Sequence, residues 1–192
     1  MRISIIFVII ISLQNVNCGT NNNLHEFPEL VFRYDKSLLS PLTNFENLSL
    51  SIPLNFEQVS GDKYRSIEKK LETNKDNYFD TDVLSIYQHL DGQVIFISKI
   101  NDLKNIYDRL NNEFELGLIE AFGASETNRG QFLINNRETV QFITTNDNFV
   151  NYKLFYNVFS KNCYLVDYFV PIKKFVNFQS TMESSISTLT IK

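Results

Sequence analysis

The sequence FVNYKLFYNVFSKNCYLVDYFVP at residues 149–171 contains the clearest structural signal in the chain. Two runs rich in aromatic and β-branched residues flank the short polar sequence Ser160-Lys161-Asn162, and this pattern predicts a β-hairpin. Pro171 ends the second strand, because proline cannot donate to a strand ladder. Apolar residues then recur every three or four positions, which predicts an amphipathic helix; they are Phe175, Phe178, Met182, Ile186 and Leu189.

The residues before this hairpin alternate between strand and helix patterns. Leu48, Leu50 and Ile52 alternate with polar residues, which predicts a half-buried strand. Asp91-Gly92 is a tight-turn signal between two further strands. The predicted strand regions are 47–56, 82–90, 93–100, 118–123 and 131–145, with a polar loop over 123–130. The predicted helices are 62–72 and a second one that begins at Asn101 or Asp102 and ends at Gly117. The fold class is therefore α+β, an antiparallel β-sheet flanked by helices.

Composition limits the classes of partner. The chain has 192 residues, of which 43% are hydrophobic and 21% charged, so it has enough apolar residues to form one domain with a core. Its formal net charge is −4. A nucleic-acid partner is not expected, because proteins that bind polyphosphates need concentrated lysine and arginine.

The N-terminus has the pattern of an export signal. Arg2 precedes the apolar run 3–13, which is shorter than the roughly 20 residues that a membrane-spanning helix needs. We assign residues 1–17 to a signal peptide and predict an exported protein of the bacterial envelope. Secretion without an anchor is the alternative location.

Cys18 follows this run at the distance expected of a lipidated cysteine. The preceding residues, Asn15-Val16-Asn17, depart from the usual bacterial lipidation motif, so plain cleavage after Cys18, a retained membrane anchor and a disulfide with Cys163 remain alternatives. Lipidation is favoured, because it leaves Cys163 as a single buried strand thiol. Residues 18–44 are then a lipid-anchored tether and N-terminal extension, and the predicted partner is the membrane.

The order of elements resembles the PsbP-like α/β/α sandwich, a fold of exported proteins and bacterial lipoproteins. The residues that carry the resemblance are LSLSIPLNF, FLINNRETVQF, VNYKLFYNVFSKNCYLVDYFVP and FVNFQSTMESSISTLTI. Asn136 takes the place of a turn glycine common in the family, and asparagine tolerates the positive φ that such a turn requires. The resemblance implies a single α+β domain over residues 45–192 and a non-enzymatic accessory or binding module.

The candidate ligand-facing residues are few. Arg137, Tyr156 and Asp167 lie in aromatic strands and are the candidates for a ligand cleft, although surface ion pairing explains Arg137, and solvent exposure explains Asp167, more simply. Histidine and cysteine are too few to predict a zinc site, so we predict no metal and no cofactor. The acidic segment 74–82 lacks the glycine and glutamate of a calcium loop, and Cys163 is expected to be inert within its strand.

Two functions are compatible with these observations. The first is an exported, lipid-anchored, non-enzymatic binding or structural module that meets a protein partner in the cell envelope. The alternative is a secreted small-ligand carrier or enzyme that uses an aromatic-lined cleft.

Overall fold

The computed structural model describes residues 27–73, 78–101, 106–124 and 126–192, except for the side chains of 68–73. A 3-10 turn at Lys36–Leu38 precedes the first strand. The strands are β1 (Leu39–Phe45), β2 (Leu48–Pro53), β3 (Phe56–Gln58), β4 (Thr81–His89), β5 (Val94–Ile100), β6 (Glu126–Ile134), β7 (Arg137–Thr145), β8 (Phe149–Tyr156), β9 (Tyr164–Pro171) and β10 (Thr190–Ile191). The helices are α1 (Gly61–Thr73), α2 (Ile106–Arg109), α3 (Asn112–Phe122) and α4 (Ile172–Ile186).

A seven-stranded antiparallel sheet forms the centre, in the order β3-β4-β5-β9-β8-β7-β6. The predicted hairpin supplies β8 and β9, next to each other near the middle of the sheet. A second sheet, β1-β2-β10, packs with α4 on one face, which we call the α4 face. The other face, which we call the α3 face, is covered by α2 and α3. The fold-class prediction, α+β with an antiparallel sheet flanked by helices, is confirmed.

Each face of the sheet has its own hydrophobic core. On β9, Tyr164, Val166 and Tyr168 point to the α4 face, where they meet Met182 and Ile186 of α4. On the α3 face, Phe142 and Phe155 pack against Phe114 of α3, with ring centroids 5.0 and 5.6 Å away. Because the strands alternate between two covered faces, β8 and β9 direct aromatic and aliphatic side chains to both sides, which explains their high aromatic content.

The region after β5 differs from the prediction. The predicted single helix ending at Gly117 is two helices, because the Asn111 side chain caps a new helix by accepting hydrogen bonds from the Glu113 and Phe114 amides at 3.0 and 3.2 Å. Gly117 lies inside α3, and the helix ends at Gly123, whose φ of 55° suits a left-handed cap. The predicted strand 118–123 is therefore wrong, and these residues are the last turns of α3 and its cap.

Two other segments differ from the prediction, one in its secondary structure and the other in its burial. The predicted polar loop 123–130 is wrong from Glu126 onward, because this polar segment pairs with β7 as the edge strand β6. The predicted half-buried strand is present as β2, but all of its residues are buried, since β1 and β10 flank it and α4 packs against it. The turn between β6 and β7 is as predicted, with a φ of 60° at Asn136.

The residues before β1 lie against the domain as a strap, which we define as residues 27–35. Leu30 N–H donates to the Leu133 carbonyl at 3.0 Å, and Leu133 N–H donates to the Pro28 carbonyl at 2.8 Å, so the strap pairs with the edge of β6. Phe27 packs into the core of the α3 face, whereas Phe32 packs against Phe132 on the α4 face. The strap therefore crosses the sheet edge, and β1 begins at residue 39 within the predicted N-terminal extension.

Candidate functional site

Asp167 lies within a buried polar cluster on the α3 face of the sheet. Its Oδ2 forms an ion pair with Lys153 Nζ, and its Oδ1 accepts a hydrogen bond from Asn151 Nδ2 at 3.1 Å. Only 6% of Asp167 is exposed. The expectation that Asp167 faces solvent is therefore wrong. The paired β8 and β9 place Lys153 directly opposite Asp167, so the ion pair follows from the register of the hairpin.

Aromatic rings line this polar cluster. Phe96 is the register partner of Asp167 on β5, and Phe142 is the register partner of Lys153 on β7. Phe169 packs against Phe96 with ring centroids 5.5 Å apart, and Phe122 at the end of α3 also packs against Phe169, at 5.7 Å. The ion pair consequently lies in a largely apolar environment, where charged groups interact strongly only if they stay paired.

The amide oxygen of Asn151 is the group in this cluster with spare hydrogen-bonding capacity. Asn151 is 1% exposed, and its Oδ1 has no partner among the described residues. A buried carbonyl oxygen without a donor is costly, and in most proteins a water molecule or a ligand hydrogen-bonds to it. The cluster therefore has one hydrogen-bond acceptor left for a ligand, Asn151 Oδ1, next to the ion pair of Lys153 and Asp167.

Tyr156 lies on the opposite face of the sheet. The whole residue is buried in the core of the α4 face, and its hydroxyl donates to the Leu189 carbonyl at 3.1 Å. Burial raises the pKa of Tyr156 to about 12, although the nearby Arg137 charge lowers it somewhat. The structure therefore does not bring Tyr156 together with Asp167.

Arg137 is exposed at the start of β7, next to the turn after β6. The loop that contains Asn157 and Val158 hydrogen-bonds to the carbonyl of the adjacent Glu138, at 2.8 and 3.1 Å. Arg137 and Asp167 are thus on different parts of the sheet. The three sequence candidates do not line one cleft.

The remaining sequence candidates have separate positions. Cys163 is fully buried next to β9, and burial raises the pKa of its thiol to about 12, which agrees with the inert thiol expected there. His89 ends β4 and packs against Phe56 with ring centroids 5.3 Å apart. Cys18 and residues 74–77 of the acidic segment lie outside the described residues.

Two surface depressions are open to solvent. One, of about 330 Å³, lies beside the edge strand β3 and is lined by Glu57, Lys63, Gln88 and His89. The other, of about 370 Å³, lies beside the strap, where Leu30, Val31 and Tyr34 face Asn135 and Thr188. Neither depression includes a residue of the buried cluster.

The described ranges contain neither a cluster of metal ligands nor a membrane-spanning helix. Within residues 27–73, 78–101, 106–124 and 126–192, no group of three or more His, Cys, Asp or Glu side chains is placed to hold a metal ion. Among the helices of these same ranges, none is long and apolar enough to cross a bilayer.

Fold and cluster together define an α+β domain with an aromatic-lined polar cluster inside its central sheet. Comparison with solved structures finds a similarity to the cyanobacterial PsbP of Synechocystis sp. PCC 6803, with a TM-score of 0.49 and 11% sequence identity. The similarity covers 91% of this chain and 98% of that chain. This structural similarity is to the same fold that the sequence resembles. It concerns the course of the chain and says nothing of activity or partner.

No family model and no curated relative matches the sequence.

Proposed function

We propose that this chain is an exported, lipid-anchored, non-enzymatic binding or structural module of the cell envelope. The observation that carries the proposal is that two candidate polar side chains, those of Asp167 and Tyr156, are hydrogen-bonded within the domain. Both carboxylate oxygens of Asp167 accept hydrogen bonds from within the domain, and the Tyr156 hydroxyl donates to Leu189. Both groups are also buried, so neither lies within hydrogen-bond reach of a substrate in solvent, as a general acid or base must.

The sequence before the strap supports the anchor. An apolar run of signal-peptide length is followed by Cys18 and a polar segment, the arrangement of a protein that is held at a membrane through an N-terminal lipid. The proposed partners are the membrane, reached through the acyl group on Cys18, and a protein of the envelope.

Metabolic labelling with a clickable palmitate analogue tests the anchor in bacterial cells that express the chain. We expect label on the wild-type protein, none on Cys18→Ala, and full label on Cys163→Ala, which removes the other thiol and controls for nonspecific acylation. Absence of label on the wild type, or equal label on Cys18→Ala, contradicts the proposal.

A second function is favoured by one observation, the unpartnered Asn151 Oδ1 inside the aromatic-lined cluster. A carrier of a small polar ligand would place an N–H or O–H donor against this oxygen. Native mass spectrometry of the purified chain tests this alternative. A co-purifying mass that is lost in Asn151→Leu but kept in Asn128→Leu, a change at an exposed position of β6, supports a carrier, and a single peak at the mass of the chain alone contradicts it.

A further inference from the structure

The strap fixes where the chain enters the domain. Phe27 packs against Tyr107 of α2 and Phe159, with ring centroids 6.0 and 5.8 Å away. Phe159 belongs to the loop between β8 and β9, at the end of the sheet that we call the 157–163 end. The loop between β4 and β5, with Leu90, lies at the opposite end, which we call the 90–93 end, because Val94 pairs with Phe169 whereas Lys99 pairs with Tyr164.

The distance from the proposed anchor to this entry point is bounded. Phe27 is the ninth residue after Cys18, and a fully extended chain spans at most about 3.3–3.6 Å per residue, so Phe27 lies within about 32 Å of the lipid attachment. The eight residues of β8 measure about 27 Å along the strand. The 90–93 end could therefore reach the membrane only if residues 18–27 were fully extended and ran along the whole length of the sheet.

Apolar side chains are exposed where the chain enters. Phe159 is 55% exposed although its ring contacts Tyr107 at 4.9 Å, and Val31 on the strap is 83% exposed. Leu30, which pairs with the β6 edge, is 39% exposed. Leu90, Phe149, Ile172 and Val176 are exposed near the 90–93 end as well, so the short tether, and not apolar exposure alone, selects the end that contacts the lipid. At the selected end, exposed apolar side chains of this kind indicate a contact with another apolar phase.

Electrostatic attraction to anionic lipid headgroups does not explain a contact between the 157–163 end and the membrane. Glu29 and Glu138 lie at the same end as Arg137 and Lys161, and Lys99 there is paired with Glu46 at 2.7 Å, so most cations of this end have carboxylates near them. Aromatic and aliphatic side chains gain free energy on leaving water whatever the lipid headgroup.

We infer that the 157–163 end faces the lipid surface, with Phe159 and Val31 as the side chains that contact it. This inference rests on the proposed lipid anchor at Cys18 and adds the orientation of the domain above the bilayer. The 90–93 end is then directed away from the membrane, toward an envelope partner.

Tryptophan reporters test the orientation, because the chain contains no tryptophan. Every described contact lies within residues 27–192, so a chain of residues 18–192 keeps all of them. Its Cys18 thiol is coupled to a maleimide-headgroup lipid in phosphatidylcholine vesicles, while the buried Cys163 stays unmodified. The vesicles contain phosphatidylcholine brominated on its acyl chains, which quenches tryptophan only on contact.

Phe159→Trp is expected to lose most of its emission and shift to the blue on coupling, whereas Leu90→Trp, at a position 95% exposed at the other end, is expected to keep its emission. Val31→Trp is the second reporter for the lipid-facing end, should Phe159→Trp unfold. Quenching of Leu90→Trp to the same degree, or no quenching at any position, overturns the orientation. The anchor is supplied chemically here, so this result is separate from the palmitate labelling, and either can fail alone.

Discussion

Asn151 and Asp167 are joined across neighbouring strands by a hydrogen bond of 3.1 Å from Nδ2 to Oδ1. They are not register partners, since Asp167 is directly opposite Lys153, and Asn151 is opposite Phe169. One carboxylate therefore receives a charged donor from its direct neighbour and a neutral donor from the diagonal one. Because the group is buried, each member is stable only while the others are present.

Removal of one charge from this cluster is predicted to be strongly destabilising. Asp167→Asn leaves Lys153 with a side chain 12% exposed and no counter-charge, and breaking a buried pair in this way costs about 3–5 kcal/mol. The double variant Lys153→Met, Asp167→Leu replaces the pair with apolar groups and is expected to recover most of that loss. Urea unfolding of the three proteins measures the differences.

The matched control is the exposed pair of Lys174 and Asp91, 3.0 Å apart, with side chains 46% and 47% exposed. Asp91→Asn is expected to change the free energy of unfolding by about 0–1 kcal/mol, because water screens the pair. Equal losses in Asp91→Asn and Asp167→Asn would show that burial does not determine the value of the inner pair.

Alkaline pH is predicted to destabilise the domain through its buried tyrosines. Burial raises the pKa of Tyr152, Tyr156 and Tyr168 above the usual value near 10, for Tyr156 to about 12. A folded-state pKa above the unfolded value means that the native state holds more protons. The stabilisation is therefore complete below pH 10 and is lost as the pH rises from about 10 to 12.

Unfolding midpoints in urea across this pH range measure the loss. In Tyr156→Phe, one titrating group is gone, so the fall in stability is expected to be shallower by up to about 1.4 kcal/mol per pH unit. Tyr34→Phe is the control, because Tyr34 is 56% exposed, and its slope is expected to match the wild type. An unchanged slope in Tyr156→Phe would contradict the argument.

The sequence was sufficient to predict the elements whose local pattern agrees with their surroundings. The hairpin of β8 and β9 and the helix α4 were predictable because their aromatic runs and helical spacing reflect faces that are in fact buried. The helical state of the segment 118–123 was not predictable, because LIEAFG is apolar enough for a strand. What decides for a helix is the side chain of Asn111, which caps the start of α3, and the spacing of apolar residues does not reveal such a cap.

The buried cluster was missed for a different reason. Asn151, Lys153 and Asp167 are visible as polar interruptions in apolar strands, but their contact depends on register. The predicted loop of residues 160–162 is centred on Lys161 and would pair Lys153 with Phe169. The observed loop is centred on Ser160 and pairs Lys153 with Asp167, so a shift of the loop centre by one residue decides whether the ion pair exists.

The strap is predicted to depend on Phe27 for its attachment. Phe27 is 9% exposed, and Phe27→Ala is expected to cost about 3 kcal/mol of stability through lost burial. The strap and the β6 edge should then separate locally, so the amides of Leu30 and Leu133, which bond across this edge, are expected to exchange faster in hydrogen-exchange mass spectrometry.

Val31→Ala is the control for the strap, because Val31 is 83% exposed and its loss is expected to change stability by less than about 0.5 kcal/mol. Wild-type protection of the Leu133 amide in Phe27→Ala would mean that the backbone pairing alone holds the strap in place.

The two asparagines of the turn between β6 and β7 are predicted to respond differently to the same substitution. Both have positive φ, 48° at Asn135 and 60° at Asn136, so glycine is compatible with the backbone at either position. Asn135 also donates through Nδ2 to the Ser187 and Leu189 carbonyls at 3.0 and 2.7 Å, whereas no such bond depends on Asn136 among those the structure describes.

Asn135→Gly is therefore expected to lower the free energy of unfolding by about 1–3 kcal/mol, and Asn136→Gly is expected to leave it unchanged, as measured by thermal and urea unfolding. Equal effects at the two positions would mean that the tie between this turn and the segment after α4 contributes nothing to stability.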